Sequence, residues 1–147
     1  MKPTRQPTTT LLPDPMRPSA LLRGAATYLD THGWTQHQFY DLLADTDGPF
    51  PPACTSGAIM TVATGQCLPS GSSCLGGDEE TIAALLALRV LAAWVDLEYT
   101  PMALENSAID VIGDWNDYDD RTVAEVIETL TDAANDWDAI HHIGGPR

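Results

Sequence analysis

Asp114-Trp-Asn-Asp-Tyr-Asp-Asp-Arg-Thr-Val-Ala-Glu-Val-Ile-Glu-Thr-Leu130 joins a dense polar and aromatic turn to a helix start that can be read one residue at a time. Thr122 and Glu125 stand three apart, the spacing of a capping box, in which each side chain accepts the backbone N–H of the other residue. From there Val123, Val126, Ile127, Leu130, Ala133, Ala134, Trp137 and Ile140 recur at i, i+3, i+4 and i+7, the apolar face of an amphipathic helix running to about Ile143. Gly144, Gly145 and Pro146 stop it.

Upstream, the same period recurs and no alternating strand pattern exceeds a few residues. Ser19 is placed to cap a first helix to about His32, with Leu21, Leu22, Ala25, Tyr28 and Leu29 on one face. Gly33 suits a left-handed helix end from which Trp34 folds back on Leu29 in a Schellman arrangement. Thr35 with Gln38 has capping-box spacing and Trp34 with Phe39 that of a hydrophobic staple, so a short helix is expected over about 36–44. The stretch from Asp45 to Pro52 is a turn-rich break, and a modest helix comes next over about 54–63. Residues 64–77 form a glycine-rich loop. Asp78 is placed to cap the longest apolar helix, about 79–98, with Glu79 and Glu80 near its positive end. Its apolar residues cover most of its circumference, so it should be central, with Trp94 and Trp137 in the core. After Thr100-Pro101 another helix runs to about Gly113. The expectation is an all-α domain of five to six helices over 19–147. It is preceded by a basic, Pro/Thr-rich arm (1–18) that is disordered or loosely docked.

Apolar content of 44% suits a packed core. Charge is segregated: residues 1–23 carry Lys2, Arg5, Arg17 and Arg23 against Asp14, whereas the remainder holds Arg89, Arg121 and Arg147 against 20 acids. Such a body repels nucleic-acid phosphates, so direct nucleic-acid binding is disfavoured outside the short arm; an acidic surface is most often merely solvated, but it can seek a basic partner, most simply a protein. An acidic body can also imitate a nucleic acid. The most hydrophobic run, Ile82–Val95, is too short for a membrane span and is interrupted by Arg89. No secretory signal pattern is visible, and three cysteines without one argue for free thiols in the cytoplasm.

Candidate chemistry is sparse. Cys54 comes after Pro51-Pro52 at a helix N-terminus, where aligned amides can activate a thiol. His32, His37, His141 and His142 are the available bases, and no motif places any of them beside it. The bland reading is that Cys54, Gly57 and Ala58 form a smooth face for close helix packing. Cys67 and Cys74 lie in the glycine-rich loop at no standard zinc spacing. Counting Asp114 as position 1 of a calcium loop puts Asn116 at 3 and Glu125 at 12, but Tyr118 and Asp119 fall where a ligand and a glycine are required. A weak cation site through Asp117, Asp119 and Asp120 competes with a solvated turn. His141 and His142 suit the negative end of the last helix better than a metal. Trp34 and Trp115 flank turns, where a partly exposed aromatic can anchor a partner. No catalytic set, metal or cofactor is expected.

Two islands, Cys54-Thr-Ser-Gly57-Ala58-Ile59 and Trp115-Asn116-Asp117 followed by Arg121-Thr122-x-x-Glu125-Val126-Ile127, resemble a domain-of-unknown-function family of small proteins from actinobacteria, other bacteria and phages. The likeness covers roughly residues 20–143. It implies that Cys54, Gly57, Trp115, Asn116, Asp117 and Arg121 form one constellation, either a brace for a turn or a site. Physically, Asn116 and Asp117 can shape the turn through backbone bonds, with Arg121 pairing to Asp117 or Asp114 and the Cys54 helix packed beneath. The leading functional expectation is a non-enzymatic cytoplasmic accessory protein, phage- or mobile-element-related, that binds a macromolecular partner. The alternatives are a small enzyme or ligand-binding domain using Cys54 with Asn116 and Asp117, and a DNA-mimic inhibitor.

Overall fold

A computed structural model of the chain describes residues 16–44, 48–67, 79–100 and 107–141. Five α-helices occupy them: α1 (Pro18–His32), α2 (Thr55–Thr64), α3 (Glu79–Val95), α4 (Ser107–Asn116) and α5 (Val123–Ile140). Among the described residues there is no β-strand, only two isolated bridges, so the domain is all-α as its periodicity indicates. No helix among them is long and apolar enough to cross a membrane. The arm up to residue 15, Cys74, Asp78, His142 and the Gly144–Pro146 stop lie outside the described residues.

Helix α1 packs against α2, α3 and α5. Its start differs from expectation: Pro18 occupies the first turn, Arg17 is the N-cap without a side-chain cap bond, and Ser19 is buried inside the helix. Proline lacks the N–H that the first turn leaves unpaired and carries the right φ, so it opens the helix without a capping hydroxyl. Leu21, Leu22, Ala25, Tyr28 and Leu29 are buried as their spacing requires. On the opposite side Arg23 reaches Asn135 (2.9 Å) and Asp138 (2.7 Å), tying α1 to α5. At the C-terminus Gly33 has φ +105° but an extended ψ of 163°, so the chain leaves straight rather than curling into a Schellman turn.

That straight exit sets the path of residues 34–41. The helix expected over about 36–44 does not form. The segment instead runs alongside 52–54: Ala53 N–H bonds Gly33 O, Thr35 N–H bonds Ala53 O, Cys54 N–H bonds Phe39 O and Asp41 N–H bonds Pro52 O, at 2.8–3.1 Å. Thr35 and Gln38 do meet, side chain to side chain at 3.2 Å, without capping any helix. Backbone pairing with a distant extended stretch satisfies the same groups that a short marginal helix would, and it places Tyr40 in the core.

Helix α3 touches all four other helices, yet it is not buried all round. Trp94, expected in the core, is 41% exposed, and Ile82 and Leu86 also face outward. Its buried residues are Thr81, Ala83, Ala84, Ala87, Leu88, Leu91 and Ala92, an alanine-rich stripe that allows close approach, with Leu85, Val90 and Val95 partly buried beside it. Helix α5 has the expected capping box, with Thr122 N–H to Glu125 Oε1 at 3.0 Å and Glu125 N–H to Thr122 Oγ1 at 3.2 Å. Its buried face is shorter than the pattern: Val126, Leu130, Ala133 and Ala134 are covered, Val123 and Ile140 at the ends are exposed, and Trp137, expected in the core, is half-buried and stacks on His141.

Helix α4 runs three residues beyond Gly113, so Asp114, Trp115 and Asn116 are helical rather than part of the turn. The turn proper is Asp117–Arg121, closed by Arg121 N–H to Tyr118 O at 2.9 Å.

Candidate functional site

Asn116, the last residue of α4, is 1% exposed and has every polar group occupied. Its Oδ1 accepts from the Trp34 indole N–H (2.8 Å), the Thr55 backbone N–H (3.0 Å) and the Thr55 hydroxyl (2.6 Å). Its Nδ2 donates to Thr35 O (3.2 Å) and Asp117 Oδ1 (2.9 Å). An indole and a backbone N–H only donate and a carbonyl only accepts, so these partners fix the amide's orientation. The backbone carbonyl of Asn116 accepts from Gln36 Nε2 at 3.0 Å. One side chain thereby joins the end of α4, the start of α2 and the 34–36 stretch.

Asp117 continues the knot. Its Oδ1 also accepts the backbone N–H of His37 at 2.8 Å, at a residue held at φ +69°. Its Oδ2 stands 3.7 Å from His37 Nδ1, beyond hydrogen-bond reach.

Cys54 is the N-cap of α2, its Sγ accepting the Gly57 N–H at 3.3 Å. Burial pushes the thiol pKa up to about 11 and the Asp117 charge adds to this, against an opposing pull from the Gly57 and Ser56 N–H groups. At neutral pH it is a protonated cap, the opposite of an activated nucleophile. Gly57 has a separate reason to be glycine. A Cβ there would lie 2.7 Å from the Phe39 carbonyl oxygen and 3.3 Å from the Tyr40 ring. Phe39 O is the acceptor for Cys54 N–H, and Tyr40 OH donates to Gly57 O at 3.0 Å, so the loop lies directly on α2 at this point.

The six singled-out residues divide into two groups. Cys54, Asn116 and Asp117 converge, with Gly57 one turn along α2. Trp115 and Arg121 form a second group on the turn. Arg121 pairs with neither Asp117 nor Asp114; its Nε donates to Trp115 O at 2.9 Å and its guanidinium lies over the Trp115 ring at 4.4 Å. The Trp115 carbonyl, in the last turn of α4, is a nearer and better-fixed acceptor than an acid on the solvated turn. Among the described residues no three His, Cys, Asp or Glu side chains converge as a metal ion would require.

An open cleft of about 290 Å³ lies over the first group, lined by His37, Gln38, Phe39, Cys54, Ser56, Ile109, Gly113, Asn116 and Asp117. Ser56 is 2% exposed and its Oγ has no hydrogen-bond partner. Sequence reasoning passed over Ser56 and Thr55, since a serine and a threonine in a helix's first turn look like ordinary helix-start residues. Trp34 it did single out, for its place beside a turn.

A family profile for DUF6197, described as a family of unknown function, matches residues 13–136. The chain belongs to that family. The matched span takes in all the elements that build the knot of this DUF6197 chain, from α1 through the Asp117–Arg121 turn and most of α5. No match emerges among curated proteins or among solved structures.

Proposed function

We propose that the protein is a non-catalytic binding module that recognises a partner protein through the cleft between α2, α4 and the 37–39 stretch. One observation carries this reading: the Ser56 hydroxyl, buried in the cleft with its hydrogen-bonding capacity unused. A buried unpaired polar group costs about 1–3 kcal/mol, which a bound polar group would offset. Phe39 and Ile109 give the cleft a mostly apolar lining in which a few polar side chains are set, as in recognition sites where a few polar groups fix orientation. The alternative of a Cys54-centred enzyme is disfavoured by a thiol that burial keeps protonated and that already serves as a helix cap. The cytoplasm, and a phage or mobile element, remain the setting that the sequence and the family likeness suggest.

The test fills the cleft. A Cβ at Gly113 meets nothing within 4 Å, so Gly113→Phe should occupy the cleft without disturbing the fold. A partner is captured from the host, purified, and titrated calorimetrically against wild type and Gly113→Phe, with melting temperatures measured in parallel. Loss of affinity in the filled variant supports the reading, and unchanged affinity overturns it. Should Gly113→Phe fold poorly, Ser56→Ala gives the same readout, because it deletes only the unpaired hydroxyl.

A further inference from the structure

Resting on that binding reading, we infer that the cleft takes the guanidinium of an arginine side chain on a basic segment of the partner. Two oxygens left open in the cleft can accept from a donor. Asp117 Oδ1 is held by the His37 N–H (2.8 Å) and the Asn116 amide (2.9 Å), which fixes the carboxylate and leaves Oδ2 without a hydrogen bond. Ser56 Oγ, 2% exposed, has no hydrogen-bond partner in either role and so is open to accept from a donor as well. A guanidinium has several N–H groups in a rigid fork and no acceptor, the donor set that suits two open oxygens lining one cleft.

Three further observations narrow the choice. Among the described residues no lysine or arginine lines the cleft; the ring of His37 is what stands beside the Asp117 carboxylate there. The walls are apolar, with Phe39 available to stack on a flat cation and Ile109 to cover its methylene stem. That favours guanidinium over ammonium, which is a strongly hydrated point charge and loses more on entering a mostly apolar site. Finally, the chain beyond residue 23 carries three arginines against 20 acids, a field that draws in a basic segment. Leu42 and Leu43, a few residues after Phe39, and Tyr118, next to Asp117, are exposed and offer apolar footing to the residues flanking such an arginine.

The experiment titrates the isotope-labelled full chain with N-acetyl-arginine methylamide, the citrulline and lysine counterparts, and free arginine, following backbone amide signals. The expected result is saturable shifts at residues 37–39, 54–57 and 113–117 for blocked arginine. The neutral citrulline compound should bind about tenfold or more weakly, as expected for losing a charge-assisted bond. Ser56→Ala and Asp117→Asn should each weaken the arginine response, their folding checked by helical circular dichroism. Equal binding of citrulline, tighter binding of lysine, or no saturable shift at millimolar probe would overturn the assignment. Saturation by free arginine with no response to the blocked residue would make this a metabolite pocket and overturn it as well. If blocked arginine fails while Gly113→Phe still abolishes partner binding, the guanidinium assignment falls and the binding reading stands. If Gly113→Phe leaves the partner bound, the binding reading itself falls.

Discussion

The indole N–H of Trp34 and the side-chain oxygen of Asn116, 82 positions apart in the chain, meet at 2.8 Å. Trp34 begins the stretch that leaves α1 and Asn116 ends α4, so this bond fixes how the two halves of the domain face each other. The same oxygen takes both Thr55 donors, which sets the start of α2 against both.

Asn116→Ala should therefore destabilise the domain by far more than its size suggests. It leaves Trp34 Nε1 and the Thr55 N–H without an acceptor in a site 1% exposed. At about 1–3 kcal/mol per buried group left unpaired, a loss of about 3–5 kcal/mol in urea unfolding is expected. Asp120→Ala, on the exposed turn, should stay within about 0.5 kcal/mol. Comparable losses in the two variants would refute the central role given to Asn116.

Gly57 and Gly113 offer a paired contrast. Both lie in helices, where alanine is intrinsically favoured over glycine by about 1 kcal/mol. At Gly113 a Cβ meets open space, so Gly113→Ala should gain about 0.5–1 kcal/mol. At Gly57 the Cβ would lie 2.7 Å from a backbone oxygen that cannot rotate away, and Gly57→Ala should lose about 1–3 kcal/mol. Thermal melts of the two variants should move in opposite directions. A stabilised Gly57→Ala would mean that the loop over α2 is not held where the structure puts it.

Cys54 links stability to pH. Its thiol pKa, about 9.0 in the unfolded chain, is pushed up to about 11 by burial, so above pH 9 the unfolded chain releases its proton before the folded one does. The contribution is fully present below pH 9 and is lost as pH climbs from about 9 to about 11. The fall should reach about 2–3 kcal/mol, at 1.36 kcal/mol per pKa unit. Cys54→Ser keeps a capping oxygen and removes the titration. The check is the difference between wild-type and variant stability across pH 8–11, which cancels every other group. A flat difference would contradict the burial of the thiol. Native Cys54 should also resist iodoacetamide at neutral pH until denaturant is added.

The limits of the sequence reading track the range of the interactions. The capping box of α5 was legible because Thr122 and Glu125 lie three residues apart and the helix period begins at once. The stretch from Thr35 carried the same spacing, yet its backbone bonds run to Pro52, Ala53 and Cys54 and to the side chains of Asn116 and Asp117, none of which a local pattern can register. Proximity of Cys54 to Asn116 was legible only through the co-occurrence of their two islands. The unpaired Ser56 hydroxyl had no sequence signal, because being unpaired is a property of what surrounds it. Trp94 misled for the converse reason: it sits on an apolar run, but the small-residue stripe of α3 takes the contacts and turns it outward.

Arg121 decides whether the turn is a brace built from stacking or from ion pairing. Its guanidinium lies 4.4 Å from the centre of the Trp115 ring and 5.4 Å from that of Tyr118, while Nε bonds the Trp115 carbonyl at 2.9 Å. Among the described residues its one close acid, Glu125, stands 4.0 Å away with a half-exposed side chain. Water and salt leave little of such a pair, whereas a planar cation over a ring and a fixed carbonyl cannot be reproduced by an ammonium. Arg121→Lys should cost about 1 kcal/mol and keep that cost in molar salt. Glu125→Gln retains a side-chain oxygen for the Thr122 N–H, so it should cost under about 0.5 kcal/mol. Urea unfolding of both variants at low and high salt tests this. If Glu125→Gln proves the more damaging, or if the Arg121→Lys cost disappears in salt, the turn is held by charge and the stacking account is wrong.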